Sequence, residues 1–377
     1  MVAATHPMPG HAPQNIPALN GLRGIACLMV AVSHATGLLQ QPDYAIAGTM
    51  GVMLFFALSG FLMFFLYSET EFTTRSAFAY IVARIARIAP IYLVVVISAY
   101  LIYGYIDAGY PHRIDDGNVL RHLLFAGNVS IFWSVPPEVQ FYGVFLIFWA
   151  SLTSLLWRAN AAPLLAFGAV CLVVLTLQQK YSGTFVGSHL HTFLSGGLAG
   201  LVFRRLKHHK LPRSLLVGLQ LLLAGLVALT IRPLSAGPLM GVIATSYLPS
   251  FQPLLPSTTV GIMAAALVLS CCFSTPLTRV VLENVPMQKA GLYSFSIYLL
   301  HPVALHIGAG VADGLGASET VGSLVGLALL MPIGWLAYRA VENPGRRAVR
   351  ALGERVWNGY ESWQTARRPA VNTSAGD

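Results

Sequence analysis

The chain has 377 residues, of which 55% are apolar and only 10% charged, with a mean hydropathy of +0.66. That charge is too sparse to coat a soluble protein of this length, and apolar runs of roughly twenty residues, enough to cross a ~30 Å hydrocarbon core, recur from end to end. A soluble domain on a single anchor is therefore excluded. The net charge of +9 matters through its distribution along the chain and is no signal for nucleic acid.

The first residues, "MVAATHPMPGHAPQNIPA", hold no Lys or Arg and no apolar core, so they read as a flexible cytoplasmic tail, 1–19, and not as a signal peptide. Apolar windows then predict an all-α integral membrane protein of about ten transmembrane helices, near 20–39, 47–67, 88–106, 139–157, 163–177, 189–203, 214–231, 257–273, 292–310 and 320–340. With the N-terminus in the cytoplasm, only Arg113, Arg121, Lys180 and Arg232 of the 23 Lys and Arg fall outside. This bias orients the chain with both termini cytoplasmic. Segments 119–135 and 234–252 are apolar enough to touch the membrane, but one more span at either would invert everything after it. They are expected to be re-entrant or interfacial pieces on the outer side. The membrane domain is thus predicted over 20–343, followed by a basic cytoplasmic tail, 344–377, that is partly disordered.

Ionisable residues inside the hydrocarbon are functional candidates because of what they cost there, about 2.5–3.5 kcal/mol each at the centre. The first predicted helix, "NGLRGIACLMVAVSHATG", carries two. Arg23 and His34 are eleven positions apart, about 16 Å of rise and within roughly 20° of whole turns, so both point from one face. Arg23 lies near the inner surface and His34 in the outer half. In the second helix, "FFALSGFL" places Ser59 and Gly60 where close helix packing or a polar contact is expected, packing being the stronger local reading.

In "YIVARIARIAPIY", Arg84 and Arg87 form an i, i+3 pair at the inner boundary, with Pro90 expected at the start of the third span. Such a pair suits lipid headgroups or a phosphorylated ligand. "FWSVPPEVQFY" then sets Glu138 behind two prolines at the start of the fourth span, between Trp133 and Phe141. A carboxylate there suits acid–base work or the orientation of a histidine, or simply a helix start. In "YSFSIYLLHPV", His301 stands near mid-span beside Pro302, which loosens the helix. The four cysteines read as small buried apolar residues, and no His or acidic spacing on any one helix suggests a metal site.

Taken together, these segments resemble the acyltransferase 3 family of multi-pass bacterial O-acyltransferases. "LNGLRGIACLMVAVSH" is similar to the family's Arg-x10-His first helix and "FFALSGFLM" to its second-helix motif. "RIARIAPIY" resembles the Arg-x-x-Arg/Pro segment, and "FWSVPPEVQFY" the Ser-Leu-x-x-Glu-x-x-Phe-Tyr motif. "SFSIYLLHPV" and "AYRAVENPGRR" are also family-like. Two departures stand out: Asn20 where Asp is commoner, and "SVPPE" in place of Leu after Ser134, with Glu138 still in register.

The resemblance implies transfer of an acyl group, most often acetyl from acetyl-coenzyme A, to a hydroxyl of a surface or secreted glycan or glycolipid, in a bacterial inner membrane. It implies acyl-CoA as donor substrate with no permanently bound cofactor, a carbohydrate or glycolipid acceptor, and membrane lipids as the surroundings. Arg23, Arg84 and Arg87 would hold the coenzyme's phosphates. His34, oriented by Glu138, would take the acceptor's proton or form an acyl-histidine. Ser59, Tyr298 and His301 would contact the acceptor or the developing oxyanion. No hydrolase-like domain is expected after the last span, so transfer is expected to finish in the membrane domain or on another protein. The rival reading is a transporter or flippase for a glycan or lipid-linked sugar, which would use the same polar residues as a proton path. No inverted repeat supports it.

Overall fold

The computed structural model describes residues 16–35, 45–231 and 255–367. Tails 1–15 and 368–377, positions 36–39 of the first predicted span, and the outer segment 234–252 lie outside the described residues. Among the described residues the structure is all-helical. The main helices are α1 (Pro17–Ser33), α2 (Ala45–Tyr67), α3 (Thr74–Tyr105), the short α4 (Val119–Leu123), α5 (Val135–Arg158), α6 (Ala162–Thr176), α7 (Leu190–Leu206) and α8 (Arg213–Ile231). They continue with α9 (Leu255–Cys271), α10 (Pro276–Val281), α11 (Val285–Leu292), α12 (Ser294–Gly314), α13 (Glu319–Ala337) and α14 (Asn343–Arg367).

A helix stands in each of the ten predicted windows. Five helical stretches among the described residues are long and apolar enough to cross a membrane: Gly48–Tyr67, Thr74–Tyr105, Ser130–Arg158, Ser294–Gly314 and Glu319–Thr365. The helices at Pro17–Ser33, Ala162–Thr176, Arg213–Val227 and Thr258–Cys271 are apolar but shorter. Leu165, Val170 and Leu172 of α6, Leu215 and Leu222 of α8, and Ile147 of α5 are exposed. An all-round apolar helix with bare Leu and Val suits a lipid surround and not water.

Three boundaries differ from the sequence reading. Pro90 lies inside α3 and not at its start. Thr73 and Ser76 form a capping box that starts the helix four turns earlier, and at 32 residues α3 is about 48 Å long, more than the hydrocarbon core needs. α5 begins at Val135, with its prolines in the first turn where their missing N–H groups cost nothing. The basic segment after residue 343 forms helix α14 as far as Arg367. It packs along the extended start of α3, Trp357 against Phe78 at 5.3 Å between ring centroids and Glu361 paired with Arg75 at 3.4 Å. The segment 119–135, expected to be re-entrant, becomes α4 and a 3-10 turn, Ser130–Ser134, that runs straight into α5.

The core is aromatic. α2 lies along α7 and α1, with Phe56, Phe61, Phe141, Phe145, Phe193 and Trp149 fully buried between α2, α5 and α7. Glycine lets α2 and α7 touch: a Cβ on Gly60 would strike the Phe193 carbonyl, and one on Gly196 the Ala57 carbonyl. α1 is fixed at its start by Asn20, whose amide donates to the Gln288 carbonyl at 2.8 Å and to its side-chain oxygen at 3.2 Å. An Asp, carrying no N–H, would not make these bonds, which gives this departure from the family pattern a structural reason.

Candidate active site

The faces of α1, α2, α3, α5 and α12 enclose a cavity of about 570 Å³, counting its open mouth. From α2 come Val52, Phe55, Phe56 and Ser59, one face of a helix. Arg23 of α1, Arg87 of α3 and Glu138 of α5 supply charge, while Ser134, Ser294 and Tyr298 supply hydroxyls.

Glu138 is held from two sides. Its Oε1 accepts from Ser59 Oγ at 3.0 Å and from the Tyr142 hydroxyl at 2.7 Å. Tyr142 lies four residues on, one helical turn away on the same face. Arg84 lies over the rings of Tyr142 and Tyr80, 5.6 and 5.7 Å from their centroids, and does not line the cavity. Arg23 sits within electrostatic reach of Arg87, Glu138 and Arg84. The structure thus brings Arg23, Ser59, Arg84, Arg87 and Glu138 close together at the Arg23 end of α1.

The other sequence candidates meet at the far end of α1. His34 caps that helix, and its ring is exposed. Nδ1 lies 2.8 Å from the Val30 carbonyl. A carbonyl only accepts, so Nδ1 carries a hydrogen, and in the neutral ring the lone pair falls on Nε2. His301 is buried under it, with ring centroids 4.9 Å apart. Its Nδ1 lies 2.7 Å from the Tyr298 carbonyl, and its Nε2 is buried with no hydrogen-bond partner. The Tyr298 hydroxyl meets Ser134 Oγ at 2.7 Å and donates to the Ile131 carbonyl at 2.9 Å.

His34 and Glu138 do not meet: the ring of His34 is held by its own i−4 carbonyl, while Glu138 is held by Ser59 and Tyr142 beside the arginines. Tyr142, Ser134 and Phe55 were missed by sequence reasoning, although the "QFY" that follows Glu138 put Tyr142 in register. Also missed was a buried carboxylate, Glu342, in the π-helical turn Tyr338–Glu342. It accepts from Ser296 and Arg346, and Arg346 in turn feels the charge of Arg87. A third histidine, His112, is also fully buried and bonds through Nε2 to the Leu299 carbonyl at 3.1 Å. Among the described residues no three His, Cys, Asp or Glu side chains come together as a metal site.

A family sequence model described as an acyltransferase domain, that of acyltransferase 3, matches residues 16–339. No curated protein and no solved structure matches the chain.

Proposed function

Because the chain belongs to the acyltransferase 3 family of membrane acyltransferases, we propose that it moves an acyl group, acetyl in the simplest case, from acyl-coenzyme A to a hydroxyl of a carbohydrate or glycolipid at a bacterial cytoplasmic membrane. The observation that carries this reading is the state of His34. It is an exposed imidazole whose Nδ1–H is tied to Val30, so that the neutral ring turns its lone pair out at Nε2, about 16 Å along one helix from an arginine cluster.

The coenzyme's phosphates would meet Arg23 and Arg87 at the cytoplasmic end, where guanidinium groups match phosphate oxygens. The pantetheine arm would run up the cavity, its amide N–H groups finding an acceptor in Glu138. At the far end the acceptor hydroxyl gives its proton to His34 Nε2 as its oxygen bonds to the thioester carbonyl carbon. The carbon–sulfur bond then breaks with its electron pair on sulfur, and the imidazolium returns the proton to yield the free thiol and the ester. A positioned base contributes about 10²–10⁴-fold. Val30 takes the orienting part that the sequence reading gave to Glu138. His301, whose buried Nε2 is an acceptor, suits a donor hydroxyl of the sugar better than an oxyanion.

The test uses the purified full chain with labelled acetyl-coenzyme A. His34→Ala is expected to keep donor binding and to lose about 10²-fold or more of transfer to the native acceptor. Transfer near the wild-type rate would remove His34 from the chemistry. A wild-type protein that neither binds the coenzyme nor transfers label would return the transporter reading.

A further inference from the structure

The cavity stops short of the base. Its lining reaches Val52 of α2 and Tyr298 of α12, and within it the rings of Phe55 and Tyr298 meet edge-on with centroids 6.1 Å apart and planes at 75°. Beyond Tyr298 the rings continue to His301 at 5.9 Å and from there to His34 at 4.9 Å. Neither histidine lines the cavity. A thioester that enters past Arg23 and Arg87 has the Phe55–Tyr298 ring pair beside its path to His34.

The two rings differ in what holds them. Tyr298 is buried and tied at its hydroxyl to Ser134 and Ile131, so moving it breaks hydrogen bonds inside the bundle. Phe55 has no polar atom, is half-buried, and packs against both hydrophobic clusters, the large one and the smaller one around Cys27, Ala31 and Ile297. Turning it aside exchanges apolar contacts only. One wall of the passage is fixed and the other yields, and the side chain that yields sets the width.

We propose that Phe55 is the sieve for the acyl group: acetyl passes between Phe55 and Tyr298, and chains of about four carbons or more are held back in the cavity. An apolar wall discriminates by methylene count, at about 10- to 200-fold per unmatched methylene. This rests on the reading of the protein as an acyl-coenzyme A-dependent transferase.

The test follows thiol release from acetyl-, butyryl- and hexanoyl-coenzyme A by native membranes that carry the full chain and its own acceptor, with membranes lacking the chain as the blank. The wild type is expected to favour acetyl. Phe55→Ala should raise the hexanoyl-to-acetyl ratio by about tenfold or more. Phe55→Leu, a smaller change that protects folding, should raise the butyryl-to-acetyl ratio. Ratios unchanged in whichever variant accumulates, or a wild type that uses hexanoyl as readily as acetyl, would overturn the sieve. No thiol release from any donor by the wild type would instead sink the acyl-transfer reading beneath it, and would be seen before any variant is made.

Discussion

Arg84 and Arg87 lie one turn apart on α3 and look alike in sequence, yet only Arg87 lines the cavity while Arg84 rests on two tyrosine rings. Their substitutions should therefore separate. Arg87→Ala should remove a charge-assisted phosphate contact of about 1.5–3 kcal/mol, and Arg87→Lys should restore little of it, because an ammonium lacks the bidentate fork. At Arg84 a lysine keeps a cation over the rings, so Arg84→Lys should bind acetyl-coenzyme A nearly as the wild type does. Titration calorimetry of the four alanine and lysine variants decides the point; equal losses for the two lysine variants would mean that both arginines grip phosphate. The pair was legible in the sequence and its division of labour was not, because the latter depends on where Tyr80 and Tyr142 stand. Ser59 and Gly60 teach the same lesson. Neighbours on a helix point about 100° apart, so Gly60 meets the α7 backbone, as packing arguments expect, while Ser59 turns into the cavity and bonds Glu138. A carboxylate 79 positions away leaves no mark on the local pattern.

At the scale of elements, the loop between α3 and α4 is strapped to α12 by His112, which is fully buried and bonds the Leu299 carbonyl. Burial pushes its pKa down from 6.5 to about 4, because a charged imidazole would lose its water there. The folded protein thus keeps this ring neutral, while the unfolded chain takes up a proton as pH falls below 6.5. Stability is fully present above that pH and is lost as pH falls from 6.5 towards 4, by at most about 3 kcal/mol from this residue. Thermal melts of the purified protein at pH 7.5 and pH 5 should show the drop, and His112→Gln should be less stable at pH 7.5 but flatter across the range. A variant whose melting point falls as steeply as the wild type's would clear His112 of the effect. The ten helical windows were legible because each is a continuous apolar run. The start of α3 was hidden because Arg75, Arg84 and Arg87 depress the hydropathy of a segment that packs against α14. The path from 119 to 135 was hidden because a five-residue helix and a 3-10 turn have no periodicity long enough to read.

For the whole molecule, the strongest sequence signal is the charge asymmetry, nineteen of 23 Lys and Arg on the predicted inner side, and the fold adds a physical reason for where that charge ends. α3 exceeds the hydrocarbon thickness, and α14 runs back along its first turns, bringing the exposed Arg347, Arg350 and Arg355 to the same end of the bundle as Arg75. Dragging such a cluster across the membrane would cost far more than leaving it on the cytoplasmic side. The donor site proposed at Arg23 and Arg87 would share that side, as a coenzyme made in the cytoplasm requires. The four native cysteines are buried, so a membrane-impermeant maleimide should report on introduced cysteines alone. Arg113→Cys, on the exposed α3–α4 loop, should label in intact cells. Lys210→Cys, after α7, and Glu354→Cys, on α14, should label only after permeabilisation; all three positions are exposed in the fold. Labelling of Glu354→Cys in intact cells would require an odd number of crossings before α14. That would place the arginine cluster on the side without coenzyme, and the direction of transfer argued from His34 and Arg87 would fail with it.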